Sequence, residues 1–296
     1  MITVVFSKQG RFTLGVKTDK GILDVEAAAQ RLPQFARVPL TVSQLLSQGE
    51  EAKLALASLA ESALSHDDLF YSEEILEYGP CVPEPQKIIC SGLNYKKHAE
   101  ECNLPFPSSP LIFSKCSNTL SGHRQYITLP QTSTQVDYEA ELAIVIGKQA
   151  KNVPPEEALS YVYGYCSSND LTARDLQFKS SQWLLGKTCD GFCPIGPYLV
   201  SHDEVGNPNE LWIRCYVNGE LRQDSTTSDM IFSCEEIISY LSCHMTLYPG
   251  DIILTGTPSG VIMGYPEEKQ VWLQDGDEVS VEIEKLGRLT NIMKKY

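Results

Sequence analysis

Nowhere in its 296 residues does this chain carry an apolar run near the roughly 20 residues that cross a bilayer, so no helical membrane span is expected. It is also short of positive charge, with 24 Lys and Arg against 38 Asp and Glu, a formal net charge of -14. Phosphate backbones are bound by concentrated Lys/Arg surfaces, and none is visible, so a nucleic-acid partner is not expected. An anionic metabolite stays open, because a few converging cations can outweigh the mean charge. The ten cysteines include no Cys-x-x-Cys pair. Scattered among apolar neighbours, most read as small buried hydrophobes rather than as disulfides or a zinc site. Low-complexity tracts and repeats are missing, as is a basic stretch leading into an apolar one at the start, which makes the cytoplasm the expected location.

What is present is globular: 42% of residues are hydrophobic and 21% charged. Residues 1 to 80 read as a small N-terminal α+β domain. Strands are expected over 2–6 and 12–17 around the turn Lys8-Gln9-Gly10, and helices around 25–30, 42–46 and 52–64. The segment CVPEPQ, broken by Pro83 and Pro85, marks a boundary, with a second domain over 81–296. That second part is rich in short β-branched runs (KIIC, AELAIVIG, YLV, LWIRCYVNGEL, GDIILTG, QVWL, EVSVEIE) between turn residues. Asn218-Gly219 fits a tight hairpin turn and Asp275-Gly276 another. The fold class is α+β, mainly β, without the βαβ rhythm of a nucleotide-binding sheet.

The segment VDYEAELAIVIG holds the first chemical signal. As a strand it places Glu139 and Glu141 on one face with Ala143 and Val145, and Ala140, Leu142, Ile144 and Ile146 on the other. The run is apolar enough to be buried on both faces, where neighbouring carboxylates repel and are costly to desolvate. A cation resolves the conflict; all-oxygen ligands select Mg²⁺, Mn²⁺ or Ca²⁺ over zinc. Asp170, ending the apolar GYCSSND stretch, is the natural third ligand, although a solvated edge strand or a salt-bridged pair explains the two glutamates equally simply.

Cationic and acid-base groups follow the same two-sided reading. Arg174 and Gln177 lie one turn apart on an expected helix, as substrate clamp or as surface residues. Lys187 sits among apolar and small residues, where an ammonium needs a partner; it would neutralise substrate or carboxylates. Thr257, in the Gly256-Thr257-Pro258 loop after an apolar strand, would receive a substrate carboxylate unless the loop is a simple turn. In GLNYKKHAEECN, His98 and Glu101 are three apart, so that on a helical turn the carboxylate orients the imidazole as in a general base. The bland alternative is an exposed histidine beside an acid. His66, His123, His202 and His244 have no comparable setting.

The segments GLNYKKHAEE, PLIFSK, DYEAELAIVIG, NDLTARDLQ, QWLLGK and LTGTPSGV occur in an order and spacing that resemble the fumarylacetoacetate hydrolase family over about residues 85 to 290. Residues 1 to 80 are similar to the smaller N-terminal domain of its bacterial-type members. The resemblance implies a mixed β-roll catalytic domain, usually homodimeric, with one Mg²⁺ or Mn²⁺ per chain on Glu139, Glu141 and Asp170, and Ca²⁺ as a substitute. It also implies a His98–Glu101 catalytic dyad on a lid, Lys187 in the catalytic group, and Arg174, Gln177 and Thr257 as oxo-acid contacts.

The chemistry expected of such parts is carbon–carbon cleavage in a small 2-oxo dicarboxylate or acylpyruvate, through an enolate stabilised by a chelated divalent ion. Oxaloacetate decarboxylation and acylpyruvate hydrolysis are the leading forms. The alternative is 2-hydroxyhepta-2,4-diene-1,7-dioate isomerisation or oxo-acid tautomerisation, as in aromatic catabolism, which needs proton shuttling alone. A non-catalytic metal- or oxo-acid-binding protein is the competing class; the combination of His98, Glu101 and Lys187 speaks against it. The segment CNLPFPSSP after the dyad suggests a mobile cover.

Overall fold

A computed structural model describes residues 1–296. Its largest sheet runs, edge to edge, through Phe70–Tyr71, Gly21–Asp24, Arg11–Thr18, Ile2–Lys8, Cys193–Ser201, Val162–Asn169, Ala140–Ile146, Ile252–Leu254, Ile88–Gly92 and Leu111–Lys115. A five-stranded sheet holds Glu220–Thr226, Trp212–Val217, Glu278–Ile283, Gly287–Lys295 and Tyr126–Leu129. Neighbours are antiparallel except for a few pairs such as Ile252–Leu254 with Ile88–Gly92. The mixed, mainly β architecture agrees with the expected fold class.

The strand Ala140–Ile146 is buried along its whole length. Leu142 and Ile144 enter one core, shared with the five-stranded sheet and the helix Cys234–His244. Ala143 and Val145 enter the other, shared with the N-terminal helices Val25–Arg31, Val42–Gln48 and Glu50–Ala63. The alternation expected from the sequence is therefore the alternation between two cores. At about 1.5–3 kcal/mol per buried Leu or Ile, a one-residue slip would expose or misplace every one of these side chains, and the register is fixed accordingly.

N-terminal strands and helices fall where the hydrophobic pattern puts them. Asp24 caps Val25–Arg31 by accepting from the Ala27 N–H (3.0 Å), and Thr41 caps Val42–Gln48 through the Gln44 N–H (3.2 Å). Ile2–Lys8 pairs with Cys193–Ser201, so these strands extend the sheet that carries the site. The helix Cys234–His244, not anticipated, begins with a capping box between Ser233 and Glu236 and buries Cys234, Ile237, Ile238 and Leu241.

Two expectations about the C-terminal strands divide. Asn218 (φ 52°) and Gly219 (φ 80°) make the tight turn between Trp212–Val217 and Glu220–Thr226, both in the left-handed region that this turn requires. QVWL is not a strand, and Asp275-Gly276 joins no hairpin. Asp277 accepts from the Gln274 N–H (2.7 Å), curling 274–277 into a turn that feeds the strand Glu278–Ile283 from irregular chain. The hairpin there is the next one, between Glu278–Ile283 and Gly287–Lys295.

No disulfide forms. Six of the ten free cysteines are buried, as expected of small hydrophobes.

Candidate active site

Four strand ends meet at one edge of the main sheet. Ala140–Ile146 begins there, while Val162–Asn169, Ile252–Leu254 and Ile88–Gly92 end there. Ala140 faces Asn169 across the ladder, and the Asp170 N–H donates to Glu139 O (2.9 Å), so pairing alone brings Glu139, Glu141 and Asp170 together. Their carboxylates offer oxygens all within 4.8 Å of one another, and all three residues are buried.

Three buried cations share the load. Lys187 Nζ lies 2.5 Å from Glu139 Oε2 and 2.7 Å from Asp170 Oδ2. Lys115 pairs with the other Asp170 oxygen. Arg174 Nη2 sits 2.7 Å from Glu139 Oε1 and 2.8 Å from Asp137, which also accepts from Arg174 Nε (2.9 Å). Burial alone would push the Glu139 carboxyl up, but Lys187 and Arg174 outweigh it and hold it at about 2. Burial likewise works against the charge of Lys187, and Asp170 and Glu139 keep it protonated well above its usual range.

Glu141 has no such partner. The Gly256 N–H donates to its Oε2 (2.7 Å), and no cation pairs with it. Burial, with Asp170 and Glu139 beside it, pushes its carboxyl well above the ordinary range. That approach of backbone to carboxylate requires glycine: Gly256 has φ 99°, and a Cβ there would lie 2.8 Å from Asn94 Cβ. A buried carboxylate without a cation, beside two others that have them, is the observation that fits a divalent ion on Glu139, Glu141 and Asp170. Four carboxyl groups, Asp137 included, face three cations, so with all four ionised, as ligands of an ion would be, one negative charge is in excess, and a divalent ion would turn it into one positive charge.

Across the cavity, the helix Lys96–Glu101 brings His98 Nδ1 to 2.7 Å from Glu101 Oε1. The second Glu101 oxygen accepts from the Gly260 N–H (2.9 Å), and Gly264 packs so closely on the carboxylate that a Cβ would come within 2.5 Å. Glu101 is thus held in place, and His98 Nε2 is the nitrogen left for the cavity. Burial would lower the His98 pKa, but Cys102 and Glu101, with the Glu139 charge behind them, raise it to about 9.

The cavity, about 70 Å³, is lined by His98, Glu139, Glu141, Arg174, Gln177, Lys187 and Thr257, with Phe113 and Trp183 as an aromatic wall. At roughly 10–15 Å³ per enclosed water, it has the scale of a few-carbon acid and not of a nucleotide. Of the residues singled out in the sequence, all but Glu101 and Asp170 line it directly, and these two hold neighbours that do: Glu101 orients His98, and Asp170 anchors Lys187. Gln177 accepts from Arg174 Nη1 (3.1 Å). Gln223 Nε2 donates to Thr257 Oγ1 (2.9 Å), which leaves the Thr257 hydroxyl hydrogen to donate elsewhere.

Sequence reasoning missed Asp137, Lys115, Ser91 and Gln223. Asp137 stands at period two before Glu139 and Glu141, so alternation would have counted it a fourth ligand. Instead it turns to Arg174 and the N–H groups of Ile262 and Met263. Lys115 shares a strand face with Leu111 and Phe113, a cation at an apolar position. Ser91 lines the cavity with a buried hydroxyl that has no protein partner.

Comparison with known proteins follows the same outline. Residues 87–294 match the family model described as fumarylacetoacetate (FAA) hydrolase C-terminal. The Bos taurus protein named oxaloacetate tautomerase FAHD2B, mitochondrial, is 44% identical over 274 residues, covering 92% of this chain and 83% of that protein. Among solved structures, the fumarylacetoacetate hydrolase of Exiguobacterium antarcticum superposes with a TM-score of 0.82 at 32% identity, over 100% of both chains. The maleylpyruvate hydrolase of Sphingobium does so with a TM-score of 0.79 at 29% identity, again over 100% of both.

Proposed function

Because this chain belongs to the fumarylacetoacetate hydrolase family, we propose that it is a divalent-metal-dependent enzyme that moves a proton on the enolate of a small 2-oxo dicarboxylate, oxaloacetate first. The observation that carries the reading is one cavity lined on one side by a cation-deficient carboxylate cluster and on the other by a positioned His–Glu pair. Mg²⁺ or Mn²⁺ on Glu139, Glu141 and Asp170 would polarise a 2-oxo carbonyl and favour its enolate; Ca²⁺ would be a substitute.

The chain's own groups supply the rest. Lys187, with Arg174 and Gln177 behind it, offers positive charge to the enolate oxygen and the adjacent carboxylate. The Thr257 and Ser91 hydroxyls are the hydrogen-bond donors available to the acid's far end. Glu101 fixes the His98 ring so that Nε2 gives a proton to the enolate carbon, or takes one from it in the reverse direction. For enol-to-keto conversion the enol oxygen loses one proton and the carbon gains one, so no other reactant is needed. Tautomerisation therefore asks least of the site, and the bovine relative carries that activity in its name.

Carbon–carbon cleavage is the second reading, favoured by the likeness to a maleylpyruvate hydrolase. In it His98 would take a proton from water, which attacks an acylpyruvate carbonyl. Isomerisation of a hydroxy-diene dioate uses the tautomerase groups on a longer substrate. A homodimer and a cytoplasmic location remain proposals from the sequence. The Bos taurus relative is mitochondrial by name, and cell fractionation with size determination decides both.

The test is a panel with Mg²⁺ or Mn²⁺: enol-oxaloacetate followed by loss of its ultraviolet absorbance, oxaloacetate by CO₂ release, acetylpyruvate, and a hydroxy-diene dioate. Faster enol loss that His98→Ala removes is the expected result. No turnover of any of the four with metal bound would refute the enzyme reading.

A further inference from the structure

The dyad has a third neighbour that the proposed proton transfer does not use. Cys102 follows Glu101, at the C-terminal end of the same helix, with its Sγ 4.0 Å from His98 Nδ1. Nδ1, a Glu101 oxygen and Sγ all lie within 4.8 Å of one another. Unlike the all-oxygen cluster, this set combines imidazole, carboxylate and thiol, the ligands that select soft or borderline ions. His98 is buried, while Glu101 and Cys102 are partly exposed, so the group can be reached from solvent.

We propose that His98, Glu101 and Cys102 form a second metal site, which takes Zn²⁺ or Cd²⁺ and shuts off the proton-transfer dyad. With Zn–N of about 2.0–2.1 Å, Zn–O of about 2.0–2.2 Å and Zn–S of about 2.3 Å, tetrahedral angles put N···S near about 3.6 Å and N···O near about 3.3 Å. The structure has 4.0 Å and 2.7 Å, so side-chain shifts of about half an ångström suffice. Three protein ligands leave the fourth position to water.

The shut-off follows from the tautomer. With Nδ1–H donating to Glu101, metal-free His98 can give a proton to the cavity from Nε2 and take one back there. An ion on Nδ1 displaces that proton, as it displaces the Cys102 thiol proton. The metal-bound ring then carries its hydrogen on Nε2 as a neutral imidazole, which cannot accept a second proton and is too weak an acid to give up the one it has. Glu101 is drawn onto the ion and stops orienting the ring. Binding needs nothing beyond the geometry; the shut-off rests on the reading of His98 as the proton-transfer residue.

The experiment uses the Mn²⁺-saturated protein in a Cys116→Ser/Cys243→Ser background, which removes the two exposed thiols. Cd²⁺ is titrated while the ultraviolet thiolate-to-cadmium charge-transfer band is recorded, and Zn²⁺ inhibition of enol-oxaloacetate turnover is measured beside it. One equivalent of Cd²⁺ is expected to raise the band, and Cys102→Ser to abolish it. The same variant should raise the Zn²⁺ concentration for half-inhibition at least tenfold, measured against its own uninhibited turnover. Cys102→Ala is a second variant, each checked by its melting temperature. A band that survives in both variants overturns the site. Band loss with no Zn²⁺ inhibition of the parent overturns the shut-off and places the fault in the His98 reading.

Discussion

Replacing Glu141 by Gln should reverse in sign between the metal-free and the Mn²⁺-loaded protein. Without metal, Glu141 is a buried carboxylate whose one polar donor is the Gly256 N–H, beside two other acids. Gln keeps that acceptor and adds an amide that can donate to Glu139 or Asp170. Removing a carboxyl that must either carry an unpaired charge or take up a proton at pH 8 should stabilise the metal-free fold by about 1–3 kcal/mol. At about 2.1 cal/mol/K per residue, a chain of 296 residues shifts by about 1.6 °C per kcal/mol, so the melting temperature rises about 2–5 °C. With Mn²⁺ at about 100 times the parent Kd, the parent gains about 2.7 kcal/mol, or about 4 °C. A variant binding about 100-fold more weakly gains about 0.4 kcal/mol, under about 1 °C. The assay is thermal unfolding of EDTA-treated protein with and without Mn²⁺ at pH 8. A variant that keeps the full Mn²⁺ shift, or that is less stable than the parent without metal, would refute the assignment of Glu141 as the ligand that lacks a cation.

Three further outcomes are expected. His98→Asn should lower kcat about 10²–10⁴-fold while keeping the parent's Mn²⁺-induced melting shift, because the dyad lies outside the carboxylate cluster; a lost shift would contradict this separation. Lys115→Met leaves a fully buried Asp170 oxygen without its ammonium and should cost about 3–5 kcal/mol, a fall of about 5–8 °C in melting temperature; a change under about 1 kcal/mol in denaturant unfolding would speak against a buried pair. His123 is half-buried, accepts from the Thr290 N–H (3.0 Å), and is lowered by burial and Arg124 to about 4. The unfolded chain, at its ordinary 6.5, takes the proton first, so stability is complete above about pH 6.5 and falls as pH drops toward 4, by about 1–2 kcal/mol at pH 5. His123→Asn, which keeps an acceptor, should flatten that slope in urea unfolding between pH 4 and 6.5.

What could be read from the sequence was local. Glu139 and Glu141 share a face because a strand alternates, and Ala143 and Val145 continue that face into a core, so the desolvation conflict was visible before any contact was known. His98 and Glu101 meet because residues three apart on a helical turn are neighbours. Asp137 obeys the same period as the two glutamates yet faces elsewhere, because its strand Val136–Asp137 pairs with Thr172–Ala173 and not with the main sheet. Period therefore counts acids on a face while the ladder decides which of them converge. Lys115 and Gln223 reach the site from residues 55 and 34 positions away from their partners, and no local pattern encodes that.

The cations acquire their meaning from this distinction. Arg174 stood out in the sequence as a group that would clamp substrate and Lys187 as one that would neutralise substrate or carboxylates; in the fold the first partners of both are the carboxylates. A cluster of four acids could not be buried without them, and three are just too few to neutralise it. The charge left over falls on Glu141, which accepts from the N–H of Gly256 in the loop lining the cavity. A divalent ion there would leave the site one charge positive, matched to a dicarboxylate, and would loosen the hold of Glu139 on Lys187 so that the ammonium can turn to the substrate. The same excess explains why a monovalent cation would not do: it would neutralise the cluster and leave nothing to attract a doubly charged acid.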